Sequence, residues 1–144
     1  MSSIADGYFG IYGKDVEKVF NDSIQLKTYG MRLDFKKDSI LVIIDPIQEF
    51  HKGGVGRSAM NGSTIAAGFD LGIGMCIYTT DIKANVGSGV ARMEIKYHKP
   101  VDGNKAIFEC RVDKIKKNLV YCSGILLDEN KTICASATGT LVVK

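Results

Sequence analysis

One stretch, MNGSTIAAGFDLGIGMCIY from Met60 to Tyr78, constrains this chain more than any other. It predicts a helix that is apolar almost all round, and such a helix has to be enclosed by other elements rather than laid on a surface. Ala66, Ala67, Gly68, Gly72 and Gly74 crowd it with small residues. Each glycine costs about 1 kcal/mol of helix propensity relative to alanine, a cost tolerated where a second backbone must come close. Asp70 stands in the middle of this run. A carboxylate in so apolar a helix calls for a physical reason.

The rest of the chain supplies what could enclose the helix. Residues 14–27 place Val16, Val19, Phe20 and Ile24 at helical spacing and predict one amphipathic helix ending at Tyr29–Gly30. MRLDF and SILVIIDP predict a strand pair turning at Lys37–Asp38, with Pro46 closing the second strand. HKGGVGRSAMNG holds four glycines in twelve residues and predicts a loop. After the central helix come four strands, at about 87–98, 104–115, 118–128 and 132–143. Pro100–Asp102–Gly103, Lys116–Lys117 and Asp128–Glu129–Asn130 separate them. Separators this short predict that consecutive strands lie antiparallel as neighbours. RMEIKYH and IFECRVDKI alternate, so one sheet face packs and the other is wet. The architecture expected is α+β: about six antiparallel strands curved round one long helix, with an N-terminal helix beside them.

With 144 residues, no internal repeat and no Pro-rich linker, the chain is expected to form a single domain over 1–144, with 1–13 a flexible N-terminal segment. The formal charge of +3 is spread along the length without an arginine-rich tract, which disfavours a nucleic-acid partner. The longest apolar stretch contains Asp70 and is too short to span a bilayer, so no membrane partner is expected. No signal peptide is visible, and the cytoplasm is the expected compartment. Cys76, Cys110, Cys122 and Cys134 form no C-x-x-C pair; they are expected as buried reduced thiols, Cys110 and Cys122 roughly opposite one another. His51 and His98 are expected to face solvent, and neither a metal site nor a cofactor is predicted.

Three segments in order resemble a known family. YGMRLDF is similar to the L-G-x-x-L opening of the phenylacetate-degradation branch of hotdog-fold acyl-CoA thioesterases, a group that includes 4-hydroxybenzoyl-CoA thioesterase-like enzymes. NGSTIAAGFDLGIG resembles that branch's H-G-G-x-x-x-x-L-x-D-x-x-x-G, and MEIKYHKPV its L-x-I-x-Y-x-R-P strand. The resemblance covers Tyr29 to Val143 and implies a hotdog fold that pairs as a homodimer, or as a dimer of dimers, with active sites at the dimer interface. It also shows departures. Asn61-Gly62-Ser63 stands where the family most often has His-Gly-Gly, and Val55 where it has Asn or His upstream. Val90 stands where it has Thr or Ser seven residues before Tyr97, with Ser88 two residues further upstream.

Thioester hydrolysis needs a donor for the carbonyl oxygen and a base or nucleophile for the carbonyl carbon. A helix N-terminus offers unpaired N–H groups, and Asn61 is a good N-cap that is also a catalytic candidate, with capping alone as the other reading. The Gly62 N–H is therefore assigned to the carbonyl oxygen, with Ser63 a lesser candidate, and Asp70 to the base or nucleophile. Eight residues of helix separate Gly62 from Asp70 by about 12 Å, too far for one carbonyl group. Two antiparallel copies of the helix would close that gap. Arg57 is the first candidate for coenzyme A phosphates. Met60, Phe69 and Ile73 are candidates for the acyl pocket, with Phe69 and Ile73 equally suited to the core. Ser88 is either a strand-entry turn residue or a group that orients water or the nucleophile, and Val90 is a substrate-binding candidate beside it. The expected function is hydrolysis of acyl-CoA. A non-catalytic module binding acyl-CoA or an acyl carrier protein is the alternative. The resemblance also disfavours a hydratase or dehydratase, since hotdog enzymes of that kind rely on a catalytic histidine in the helix region and none lies between His51 and His98.

Overall fold

The computed structural model describes residues 14–53, 58–82 and 88–143. The expected N-terminal segment 1–13 and Arg57 lie outside the described residues. Helices α1 (Lys14–Asn21) and α2 (Ile24–Tyr29) lead into strands β1 (Arg32–Phe35) and β2 (Ile40–Ile44). A single 3-10 turn, Glu49–His51, precedes the central helix α3 (Gly62–Met75), which tightens into a 3-10 turn at Cys76–Thr79. Strands β3 (Gly89–Tyr97), β4 (Ala106–Lys116), β5 (Leu119–Asp128) and β6 (Ile133–Val142) complete the chain.

The N-terminal helix expected as one piece is two. Ser23 adopts an extended conformation and its side chain accepts from the Leu26 N–H, capping a new helix after Asp22. Gly30, at φ 63°, closes that helix in the left-handed region that glycine reaches without strain. The short α1 guards the edge of the sheet. Its Asn21 exchanges two hydrogen bonds with the Leu33 backbone, at 2.9 and 2.7 Å, and its Glu17 carboxylate accepts from the Phe35 N–H at 2.7 Å. Side chains thus satisfy backbone groups that an edge strand otherwise exposes.

All strand pairs are antiparallel, in the order β1-β2-β4-β5-β6-β3. The expectation that β3 and β4 are neighbours fails. The link 98–105 is no tight turn: its Val101 is buried, and the Val101 carbonyl accepts from the Met60 N–H at 3.1 Å. Anchored beneath the start of α3, it carries the chain across the sheet, so β4 pairs with β2 and β3 lands at the far edge beside β6. The β4–β5 turn falls at Lys117, as expected, and the β5–β6 turn at Lys131.

The sheet curves round α3. Ile65, Phe69 and Ile73 are buried on the sheet side of the helix, where the Phe69 ring meets the Phe108 ring edge-on with centroids 5.1 Å apart. Gly68 and Gly72 lie on the same side because side chains do not fit there: a methyl on Gly68 would overlap the Phe108 ring, and one on Gly72 would come 2.6 Å from the Cys110 Sγ. All four cysteines are free and buried. Cys110 stands opposite Gly124 and Cys122 opposite Val112, two residues out of register with each other. Burial, with the charges of Cys122 and Glu109, pushes the Cys110 thiol up to about 12, and the hydrogen bond with Cys122 followed by burial pushes Cys76 up as well. Thiols held protonated in this way are poor nucleophiles.

Candidate functional site

The helix start is held by a dense set of hydrogen bonds. Asn61 is extended (φ −76°, ψ 157°) and caps α3, its Oδ1 accepting from the Thr64 N–H at 2.7 Å and from the Ser63 hydroxyl at 2.8 Å. Its Nδ2 donates to the Phe50 and Lys52 carbonyls at 3.1 and 2.9 Å, and its backbone N–H to the His51 carbonyl at 2.8 Å. Every polar group of this side chain is therefore committed inside the chain. Gly62, the first residue of the helix, is exposed, and an N–H at that position has no intrahelical acceptor.

His51 is the strut behind this arrangement, and the expectation that it faces solvent is wrong: it is 1% exposed. Its Nδ1 accepts the Gln48 N–H at 2.9 Å, which puts the ring proton on Nε2, where it donates to the Tyr29 carbonyl at 2.7 Å. The ring thereby ties the end of α2 to the turn whose carbonyls hold Asn61, and it packs on Phe50 at a centroid distance of 4.1 Å. Two turns from distant parts of the chain bury it, and no spacing in the sequence signals that. His51→Ala empties the buried space the ring fills and leaves the Tyr29 carbonyl and the Gln48 N–H without their ring partner, and about 2–4 kcal/mol of stability should be lost. Denaturant unfolding checks this, and an unchanged midpoint would mean that water replaces the ring at no cost. His98 is exposed as expected, with Nε2 2.8 Å from the Ser136 hydroxyl.

Asp70 lies two turns into α3 and is exposed. Among the described residues its carboxylate has no hydrogen bond or ion pair. The expectation of a helix enclosed on every side is corrected here: Gly62, Ser63, Ala66, Ala67, Asp70, Leu71 and Gly74 form a stripe that the sheet leaves wholly or partly open. The low amphipathicity of the sequence hides this side, because its residues are small and apolar rather than charged. Next to the stripe runs β3, whose outer edge pairs with no strand among the described residues.

The remaining candidates divide. Met60, Phe69 and Ile73 are core, not open pocket, since they sit on the sheet-facing side of the helix or under its start. Val90 packs beside the end of α3, its Cγ2 3.8 Å from where a Gly74 methyl would be. Ser88 is half-buried at the entry to β3, and Ser63 is exposed beside Gly62. Tyr97, at the far end of β3, brings its hydroxyl to the helix start, 3.9 Å from where a methyl on Gly62 would sit. Sequence spacing gave no hint of that meeting, which depends on β3 crossing to the sheet's far edge.

A family model for the thioesterase superfamily matches residues 58–135, more than half of the chain and the span from the helix start through β3 to β6. The chain belongs to the thioesterase superfamily. No curated protein matches it. Among solved structures, it is similar to a Shewanella oneidensis protein related to the thioesterase superfamily, at 19% identity and TM-score 0.81, covering 91% of this chain and 94% of that one. Mouse thioesterase superfamily member 2 matches at 16% identity and TM-score 0.75 over 100% of both chains. The Escherichia coli PaaI protein of the phenylacetic acid degradation operon matches at 9% identity and TM-score 0.75, over 99% of this chain and 96% of that one. Likeness at such identities carries the fold, and the fold is the hotdog. Superfamily membership supports thioester hydrolysis as the general chemistry of this hotdog chain. Among the described residues, no group of three or more His, Cys, Asp or Glu side chains could hold a metal ion, and no helix is long and apolar enough to cross a membrane.

Proposed function

We propose that this chain is an acyl-CoA thioesterase of one hotdog domain, with each active site shared between two copies. The observation that carries the reading is Asp70: an exposed carboxylate without a partner among the described residues, on an open stripe of small residues. It stands about 12 Å along the helix from the Gly62 N–H, so one chain cannot apply both groups to one carbonyl. Two copies whose helices run antiparallel across the stripe can. The unequal sheet edges support pairing on this side, since α1 caps β1 while β3 keeps an open ladder that a second β3 would satisfy.

In the proposed reaction the Gly62 N–H of one copy holds the thioester carbonyl oxygen, while Asp70 of the other takes a proton from water as the water oxygen attacks the carbonyl carbon. The tetrahedral intermediate collapses by breaking the C–S bond. The leaving thiolate takes up the proton, and the acid and coenzyme A depart. Direct attack by Asp70, giving an anhydride that water then opens, is the covalent variant of the same geometry. Asn61 acts as the cap that fixes Gly62, with Ser63 supporting it. Arg57 and Ser88 are assigned to the coenzyme A moiety and the strand entry, and the reaction to the cytoplasm.

Thiol release from acetyl-, hexanoyl-, lauroyl- and phenylacetyl-CoA tests this reading. Turnover of at least one thioester is the expected result. Acyl-CoA binding with no turnover of any would replace the enzyme with a binding module.

A further inference from the structure

We infer that the Tyr97 phenol is a second hydrogen-bond donor to the thioester carbonyl oxygen, beside the Gly62 N–H; the inference rests on the thioesterase reading above. Tyr97 follows Met93 and Ile95 along β3, on the side of the strand that packs against the core, yet it is 58% exposed because the helix begins there. Apart from Gly62's chain neighbours and the helix's own backbone, its hydroxyl is the single described atom within 4 Å of where a Gly62 side chain would start. A glycine at this position keeps the space between the phenol and the first helical N–H open for a ligand.

The side-chain donors of Asn61 and Ser63 at the helix start are spent. Both Asn61 amide hydrogens go to the Phe50 and Lys52 carbonyls, and the Ser63 hydroxyl goes to the Asn61 Oδ1. The Tyr97 hydroxyl has no hydrogen-bond partner among the described residues. A tetrahedral intermediate places a full negative charge on the former carbonyl oxygen, and one backbone N–H leaves that oxygen under-coordinated. A neutral phenol supplies the missing hydrogen bond without transferring its proton, so it is unchanged at the end of turnover.

The test compares wild type with Tyr97→Phe, using hexanoyl-CoA hydrolysis together with binding of S-hexyl-coenzyme A, a thioether without the carbonyl. The expected result is a kcat lower by about tenfold to a hundredfold, with KM within about twofold, since an oxyanion donor acts mainly in the transition state. Thioether affinity and melting temperature should be unchanged. A variant with wild-type kcat would overturn the role of Tyr97 alone, as would a parallel loss of thioether affinity and kcat. A wild-type protein inactive on every thioester of the panel would instead overturn the thioesterase reading, and this inference with it.

Discussion

Asp70→Asn should lower kcat for acyl-CoA hydrolysis at least about a hundredfold, close to 3 kcal/mol of transition-state stabilisation. The substitution keeps the size and shape of the side chain while removing its ability to take a proton or attack a carbonyl. It should leave the fold alone. Asp70 is exposed and has no partner among the described residues, so no hydrogen bond or ion pair is lost with the charge. Asparagine and aspartate also have similar helix propensities. Thiol-release kinetics and a thermal melt on the same preparations separate the two effects. A variant hydrolysing at the wild-type rate would remove Asp70 from the mechanism.

The second large effect is on stability. Gly68→Val should cost about 3 kcal/mol or more and lower the melting temperature by roughly 6–12 °C. Gly68 faces Phe108, which is fully buried and packed edge-on against Phe69, so even a methyl at that position overlaps the ring. The ring has nowhere to go. Behind it the sheet is continuous, with Phe108 paired to Val42 on β2 and to Leu126 on β5. Better helix propensity recovers only a few tenths of a kcal/mol for a β-branched residue. Calorimetry checks this, and a melting temperature within a degree of wild type would mean that α3 stands further from the sheet than described.

What the sequence could disclose followed from local physics. The strands, the central helix and most of the turns were legible because alternation, helical spacing and turn-prone residues act over a few positions. The break at Asp22–Ser23 was missed because Ser23 suits a cap or an exposed helix position equally well. The pairing of β3 with β6 and the burial of His51 were missed for another reason: each depends on contacts between segments far apart in the chain. At the candidate site, the residue types at Asn61, Gly62 and Asp70 were readable. The open stripe was not, since small apolar residues look alike whether they face a sheet or await a second copy. The position of the Tyr97 hydroxyl depends on β3 crossing to the far edge, and no spacing records that.

The central claim is that one site takes its acid and its helix N-terminus from different copies, and subunit mixing tests it most directly. Gly62→Pro removes the N–H assigned to the carbonyl oxygen at the one helical position where proline is well tolerated, and the extended Asn61 before it suits a proline as well. Asp70→Asn removes the acid. Each variant alone should be nearly inactive. Unfolded together in equal amounts and refolded, half the dimers become hybrids with one intact site, and activity should return to about a quarter of wild type. A mixture no more active than its two parents would contradict a shared site and put both groups to work within a single chain.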